Sequence, residues 1–504
     1  MSILFKNGRL KSSRRDVIQF ISSIKDDEKL LKPVIEINEA HIVMLIEQGI
    51  MEIKHGAKLL KALEKLKSSI KIKHWSEDIH VYVEEEVVKT AGKIGENLHI
   101  AKSRNDQVAT AIRMALRKEL TELMKFILEF QESLLKKAEK HVETIIPGYT
   151  HLRPAQPITF SHYLLYQFDV FQRNLQRLTE CYARVNCCPM GAAALATTSF
   201  PISRERVAEL LGFDALLENS IDAVGTRDFV LEALGILSII AVDITRLVED
   251  LIIWSTPEFD LIELPDEFCS TSSIMPQKKN PDVLEIIRAR MSHIIGNFTA
   301  CALTLKSLPS SYNLDFQEVT PKMWESFQKV KKALSILSDL IMLCNPKEQN
   351  VENSILTFST LTELVKIIFK KYGVPFRTAH KIVGAFVRQL EKKKVTINDA
   401  TPEMLGEIVK KIANKPIEIS INDLKATVDV IGFVKAHRVR GGPSPSEVRR
   451  MLNSRRDLLA SMKKQIAETE MKITNAQRKL DEIISKIMQN TIAEKFKKNG
   501  VEAC

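Results

Sequence analysis

Between Thr271 and Asp282 the chain reads Thr-Ser-Ser-Ile-Met-Pro-Gln-Lys-Lys-Asn-Pro-Asp, which puts two hydroxyls (Ser272, Ser273), two ammonium groups (Lys278, Lys279) and a carboxamide (Asn280) into one loop. The loop runs into an apolar-periodic stretch, so it is expected to end at a helix N-terminus. Unpaired N–H groups and a partial positive charge there receive anions. Asn280 is the expected N-cap, Pro281 the first helical residue, and Asp282 a first-turn acid. Such a segment can close hydroxyls and cations over an anionic substrate. A polar loop that merely caps a helix would have much the same composition, so the wider pattern decides.

Three further polar clusters lie where long helices are expected to begin or meet: Ser103-Arg104-Asn105-Asp106-Gln107, Thr150-His151-Leu152-Arg153-Pro154-Ala155-Gln156, and Ser311-Tyr312-Asn313-Leu314-Asp315-Phe316-Gln317-Glu318. Each has a structural reading by itself. Ser103 or Asn105 can cap a helix, His151 can be a hydrogen-bonded turn residue, and Tyr312 can be a core residue with a satisfied hydroxyl. Four such clusters at helix ends of one bundle are harder to explain that way. His151, with a pKa ordinarily near neutrality, is the side chain best suited to move a proton.

The elements that position these clusters follow from periodicity. Leu116, Leu120, Leu123, Ile127, Phe130 and Leu134 step by four and three, as do Leu234, Leu237, Ala241, Ile244, Val248 and Leu251. Further helices are expected over 160–185, 282–307 and 322–344, which makes a five-helix bundle across 100–350. Residues 1–99 are expected to form a smaller helical domain, 351–450 a second one, and 451–504 a heptad-patterned tail. The tail either pairs with another chain or folds back on its own. The expected fold is mainly α.

Composition agrees with that. Glycine and proline number 18 each and aromatic residues are 6%. A net charge of +10 suits acidic substrates, and no nucleic-acid motif accompanies it. The seven cysteines are odd in number and lack C-x-x-C spacing, which points to a reducing, cytoplasmic setting with inert thiols. The N-terminus has no signal-peptide run, and Phe229–Val242 is too short to span a bilayer, so no membrane association is expected. Nucleotide-binding glycine loops and H-E-x-x-H are missing, and no metal or organic cofactor is called for.

Ser-Ser-Ile-Met-Pro-Gln-Lys-Lys-Asn-Pro at 272–281 resembles the lid loop of the fumarase/aspartase superfamily, whose members release fumarate from a succinyl skeleton. With Ser103–Gln107, Thr150–Pro157, Tyr312-Asn313, Gln317-Glu318 and Gly373-Val374-Pro375-Phe376-Arg377, the chain is similar to the argininosuccinate lyase branch in particular. The resemblance covers roughly residues 20–450 and does not account for the heptad tail. It implies a three-domain, fumarase/aspartase-like fold that assembles into a multi-subunit helical core. It also implies a homotetramer with composite sites, in which the lid, the histidine turn and the Ser103–Gln107 segment come from different subunits.

The implied reaction cleaves argininosuccinate to arginine and fumarate, a step of arginine biosynthesis. Its difficulty is the carbanion beside a carboxylate, which survives as an aci-carboxylate with extra negative charge, so cations aimed there supply much of the rate. By resemblance Ser272 is the base, with Ser273 as the rival. Lys278 and Asn280 stabilise the anion, and Glu285 orients His151. Arg104, Asn105, Thr150, Tyr312 and Gln317 match positions that hold substrate, as does Ser103 in the same segment. Ser23 and Asp27 correspond more loosely to an N-terminal binding segment. His80 matches an active-site position without assigned chemistry. The chain departs from the family pattern at Gly225-Thr226 before Arg227-Asp228, at Thr271, at Lys102, and at Thr320, which replaces a lysine that Lys322 would have to substitute. Another fumarate-releasing lyase (adenylosuccinate lyase, fumarase or aspartase) and a non-catalytic crystallin-like homologue are the alternatives.

Overall fold

A computed structural model describes residues 14–68, 72, 76–347, 354–413 and 417–498. The fold is mainly α. A short helix at Arg15–Ile21 and three longer ones, α1 (Leu31–Glu47), α2 (Ile53–Lys67) and α3 (Ile79–Ala91), precede the bundle. The bundle starts with α4 (Arg104–Lys140), a 37-residue helix without glycine or proline. The Ser103 side chain and the Asp106 carboxylate cap its first turn reciprocally. Its apolar stripe is completely interior: Leu116, Leu120, Leu123, Ile127, Phe130 and Leu134 are at most 1% exposed.

After α4 the chain makes a two-stranded antiparallel ribbon, β1 (Ile145–Thr150) and β2 (Arg153–Thr159). Sequence reading had placed only a turn there. His151 and Leu152, the two residues at its tip, both have positive φ (54° and 56°), the primed-turn geometry that matches strand twist. Then follow α5 (Phe160–Val185), α6 (Asp228–Trp254), the short strands β3 (Ser270–Thr271) and β4 (Lys279–Asn280), α7 (Asp282–Leu305) and α8 (Val319–Leu343).

Side-chain contacts fix which helix ends meet. Near the start of α4, Arg113 donates to the Arg184 and Val185 carbonyls at the end of α5 and stacks 4.0 Å from the Phe229 ring at the start of α6. At the other end, the Tyr163 hydroxyl donates to Asp250 at 2.7 Å, and its ring lies 4.5 Å from that of Trp254. Arg288 pairs with Glu249 at 2.6 Å, bringing the start of α7 to that same end, and the Cys301 thiol donates to the Val319 carbonyl at the first end. The five helices thus run alternately up and down; at 1.5 Å per residue α4 is about 55 Å long and the other four about 36–40 Å.

A separate apolar cluster, including Leu364, Ile368, Ile382, Phe386, Leu390 and Leu405, lies within 361–424. The N-terminal helices, the bundle and the tail share one continuous core. The tail is a 54-residue helix, α9 (Pro445–Lys498), and it folds back along its own chain. Its seam residues Leu459, Met462, Ile466, Leu480 and Ile484 are buried. Arg456–Glu139, Lys463–Glu132 and Glu470–Lys125 form a ladder of ion pairs between α9 and antiparallel α4, and Arg449–Glu143 extends it to the turn just past the end of α4. No helix among the described residues is long and apolar enough to cross a membrane.

Candidate active site

The first end of the bundle gathers polar groups from four segments. The Ser23 hydroxyl donates to Asp27 at 2.7 Å, and the Ile79 N–H donates to the same carboxylate oxygen at 3.2 Å. Asp78 caps α3 by accepting from the Val81 N–H and is ion-paired to Arg104 at the start of α4. Gln317 donates to the Ile21 carbonyl, which ties the loop before α8 to the N-terminal segment. Ser23, Asp27, Asp78, His80, Tyr312, Phe316, Gln317 and Thr320 together line a cleft of about 40 Å³. That space is on the order of a few water molecules, too small to enclose an organic dicarboxylate within this one chain.

Burial sets the electrostatics of this cleft. Asp27 is 8% exposed, and desolvation raises its carboxyl to about 6, with the Ser23 hydrogen bond opposing the shift and the Asp78 charge adding to it. His80 is 6% exposed with both ring nitrogens lacking a partner, and burial pushes it down to about 4, so it is neutral at physiological pH. Burial also raises the Tyr312 phenol. Beside the cleft, Asn105 donates its amide to the Ala194 carbonyl at 3.0 Å, while Ser103 is spent on capping α4. Thr320 reaches the cleft wall, whereas Lys322 is exposed and does not line it.

The other end carries Thr150, His151, the 272–278 loop and Glu285. β3 and β4 pair antiparallel, so residues 272–278 form an exposed hairpin loop whose Ile274 is 83% exposed. The Ser272 oxygen accepts from the Ile274 and Met275 N–H groups at 3.3 and 3.1 Å, donors that would favour its ionised form. Lys278 is exposed, and the ion pair in the loop belongs to Lys279, which is bound to Asp266. Asn280 lies in β4 instead of capping the helix, and Pro281 takes the cap position without a side-chain bond. The reason is local: Ser270 and Asp282 hydrogen bond across the base of the loop, so pairing of β3 with β4 holds Asn280 extended. Glu285, one turn into α7, is exposed, as are Thr150 and His151. The Tyr149 and Phe259 rings, 5.2 Å apart, pack the ribbon at this end. Within the chain no hydrogen bond joins His151 to Glu285 or Ser272 among the described residues.

The predicted residues therefore fall into two sets. Ser23, Asp27, His80, Ser103, Arg104, Asn105, Tyr312 and Gln317 lie at one end of the bundle. Thr150, His151, Ser272, Lys278, Asn280 and Glu285 lie at the other. Sequence reading missed Asp78, the partner of Arg104, although an aspartate just before an apolar-periodic run is an N-cap signal. A much larger cleft, about 1240 Å³ between α9, α1, α4 and α8, touches neither set.

Comparison with known proteins adds to this geometry. Residues 26–296 match the Lyase family model, and residues 358–435 match the Argininosuccinate lyase C-terminal model. An argininosuccinate lyase of Methanocaldococcus jannaschii is 39% identical over 481 residues, covering 94% of this chain and 98% of that one. The chain belongs to the argininosuccinate lyase family. A second argininosuccinate lyase, from Methanosarcina barkeri, is 39% identical across 93% of this chain and 95% of its own. Among solved structures, EDDS lyase in complex with formate superposes with a TM-score of 0.84 at 28% identity, covering 92% of this chain and 93% of that chain. An EDDS lyase variant with bound fumarate gives 0.83 at 27% identity, covering 97% and 99%. The argininosuccinate lyase family assignment makes the chain a lyase of the fumarase/aspartase superfamily.

Proposed function

We propose that the protein cleaves L-argininosuccinate reversibly to L-arginine and fumarate, as the lyase step of arginine biosynthesis in the cytoplasm. The observation that carries this reading is 39% identity to an argininosuccinate lyase over 94% of this chain, in a chain that carries both polar sets. In the reaction Ser272, as alkoxide, removes the proton from the carbon beside the substrate carboxylate. The electron pair moves onto that carboxylate as an aci-form. Lys278, Asn280 and the positive end of α7 stabilise the added charge. The carbon–nitrogen bond then breaks, and His151, oriented by Glu285, protonates the departing guanidinium nitrogen directly or through Thr150 and water. The groups at the opposite end (Ser23, Asp27, His80, Arg104, Asn105, Tyr312 and Gln317) hold the substrate's carboxylates and amino-acid portion, with Ser103 capping the helix that carries Arg104 and Asn105.

Two sets separated by a whole helix, about 36 Å along α7, cannot serve one substrate within one chain. The reading therefore includes a homotetramer in which bundles of neighbouring chains lie antiparallel, bringing one chain's lid and histidine ribbon to another's Arg104 end. Exposed apolar residues along the bundle, including Ile239, Val242, Ile286, Ile295 and Leu303, support such contacts. The lid loop closes on the bound substrate.

The deciding experiment follows fumarate absorbance with purified protein and argininosuccinate. Fumarate released from that substrate supports the reading. Release only from adenylosuccinate, malate or aspartate moves the protein to another activity of the superfamily. No release from any of them leaves a crystallin-like structural role.

A further inference from the structure

Between Ala194 and Pro201 the chain reads Ala-Leu-Ala-Thr-Thr-Ser-Phe-Pro, an uncharged stretch exposed everywhere but at Thr198. Surface loops are ordinarily mobile, yet this one is tied down on several sides. The buried Asp106 carboxylate accepts from the Gly191 and Ala193 N–H groups at 3.0 and 2.9 Å. The Ser220 hydroxyl donates to the Leu195 carbonyl at 2.7 Å, and Ala192 packs with Ala223 and Val224. Ala193 and Thr197 have φ of 51° and 62°, and a left-handed threonine persists only where its surroundings over-determine it. Fixed backbone under solvent-facing apolar side chains marks a surface prepared for a partner.

Three apolar side chains stand on this loop and on the short helix Ser220–Gly225 bonded to it. Leu195, Phe200 and Ile221 are 43%, 48% and 45% exposed. Glu218 and Asp222 flank Ile221, both exposed and without an ion pair among the described residues. Arg204 does not neutralise them, since its guanidinium is spent on the Met190, Leu217 and Glu218 carbonyls. The platform adjoins the start of α4, where Asn105 is bonded to Ala194. At the opposite end of the bundle the tip of the β1–β2 ribbon offers the complement. Leu152 there is 66% exposed, and Arg153 is exposed with no ion pair among the described residues.

We infer that this platform receives the ribbon tip of a second copy of the chain. Leu152 enters among Leu195, Phe200 and Ile221, and Arg153 pairs with Glu218 or Asp222. Both residues directly follow His151, so the same contact brings the imidazole to the Arg104 and Asn105 end. The inference rests on the composite site proposed above and adds the surface that seats the histidine.

Cross-linking tests the contact without relying on turnover. In a background with Cys187, Cys269 and Cys504 replaced by serine, Leu152→Cys/Leu195→Cys is treated with a short bismaleimide. The two positions lie at opposite ends of one chain, so covalent dimers and larger species are expected from the double variant and not from either single one. No dimer from the double variant, or equal yields from the single variants, overturns the inference. A charge swap reads the same contact in activity. Arg153→Glu should lower fumarate release by about tenfold or more, as should Glu218→Arg with Asp222→Arg, and combining all three should recover most of the loss. Losses that simply multiply in the combined variant also overturn it. A wild type that releases no fumarate from argininosuccinate overturns the proposed function instead; cross-linking still decides the contact, so the two failures are told apart.

Discussion

At the Arg104 end of the bundle, Asp27 and His80 are 8% and 6% exposed, Arg104 is locked to Asp78, and Gln317 is tied to a backbone carbonyl. At the other end His151, Lys278 and Glu285 stand in solvent, on a tight hairpin tip, an exposed loop and the first turn of a helix. The first end is organised by the chain alone; the second is not. In the proposed enzyme the difference separates binding from chemistry. Rigid partners can hold a charged substrate before anything moves, whereas the groups that handle the proton need a surface that another chain and a closing loop complete.

The comparison breaks most readily at the lid. Ser272→Ala should lower turnover by about a thousandfold or more while substrate still binds, measured by fumarate release alongside calorimetric titration. Near-normal turnover would transfer the base role away from Ser272. Next in size is a mixing experiment. Ser272→Ala and Arg104→Ala are each expected to be nearly inactive, yet refolding them together should restore a measurable fraction of activity, because some sites then take each end from an intact copy. No recovery, with mixed oligomers demonstrated by tagged copurification, would confine the site to one chain.

A third test addresses the buried end. The Asp27 carboxyl is held at about 6 in the fold against 3.8 for the free group. The raised value means that the ionised form is disfavoured on folding. Stability from this residue is therefore full below about 3.8 and falls as pH rises to about 6, leaving a penalty of about 3 kcal/mol at most at neutral pH. Asp27→Asn should raise Tm at pH 7, lose that advantage at pH 4, and weaken substrate binding. A Tm difference that does not change with pH would show that Asp27 is not the titrating group. The smallest effect belongs to the tail, where Lys463→Ala should cost under about 1 kcal/mol in chemical denaturation, as exposed ion pairs generally do.

Much of this architecture was legible in the sequence. The stripes from Leu116 to Leu134 and from Leu234 to Leu251 are long and periodic enough to announce buried helices, and each proved interior. The ribbon at 145–159 escaped because its strands are short and interrupted by Pro147, Gly148, Pro154 and Pro157, so no alternation develops. Asn280 was misplaced because cap preference is a local rule, while pairing between β3 and β4 is set across the loop. Residue types could mark His151 and Arg104 as chemically interesting, but not that a whole helix length divides them. The heptad pattern of the tail left its partner open, since a seam reads the same whether it meets its own chain or another.

The ladder along that tail has one further property. Its first three rungs place a base on α9 and an acid on α4 or the turn just after it, and the fourth reverses the polarity. Sliding α9 by one heptad in one direction would set Lys463 against Lys125, and in the other Glu470 against Glu132. Apolar seams alone tolerate such slippage, so a single inverted rung works like the asymmetric tooth of a key, admitting the long helix into its groove in only one axial setting.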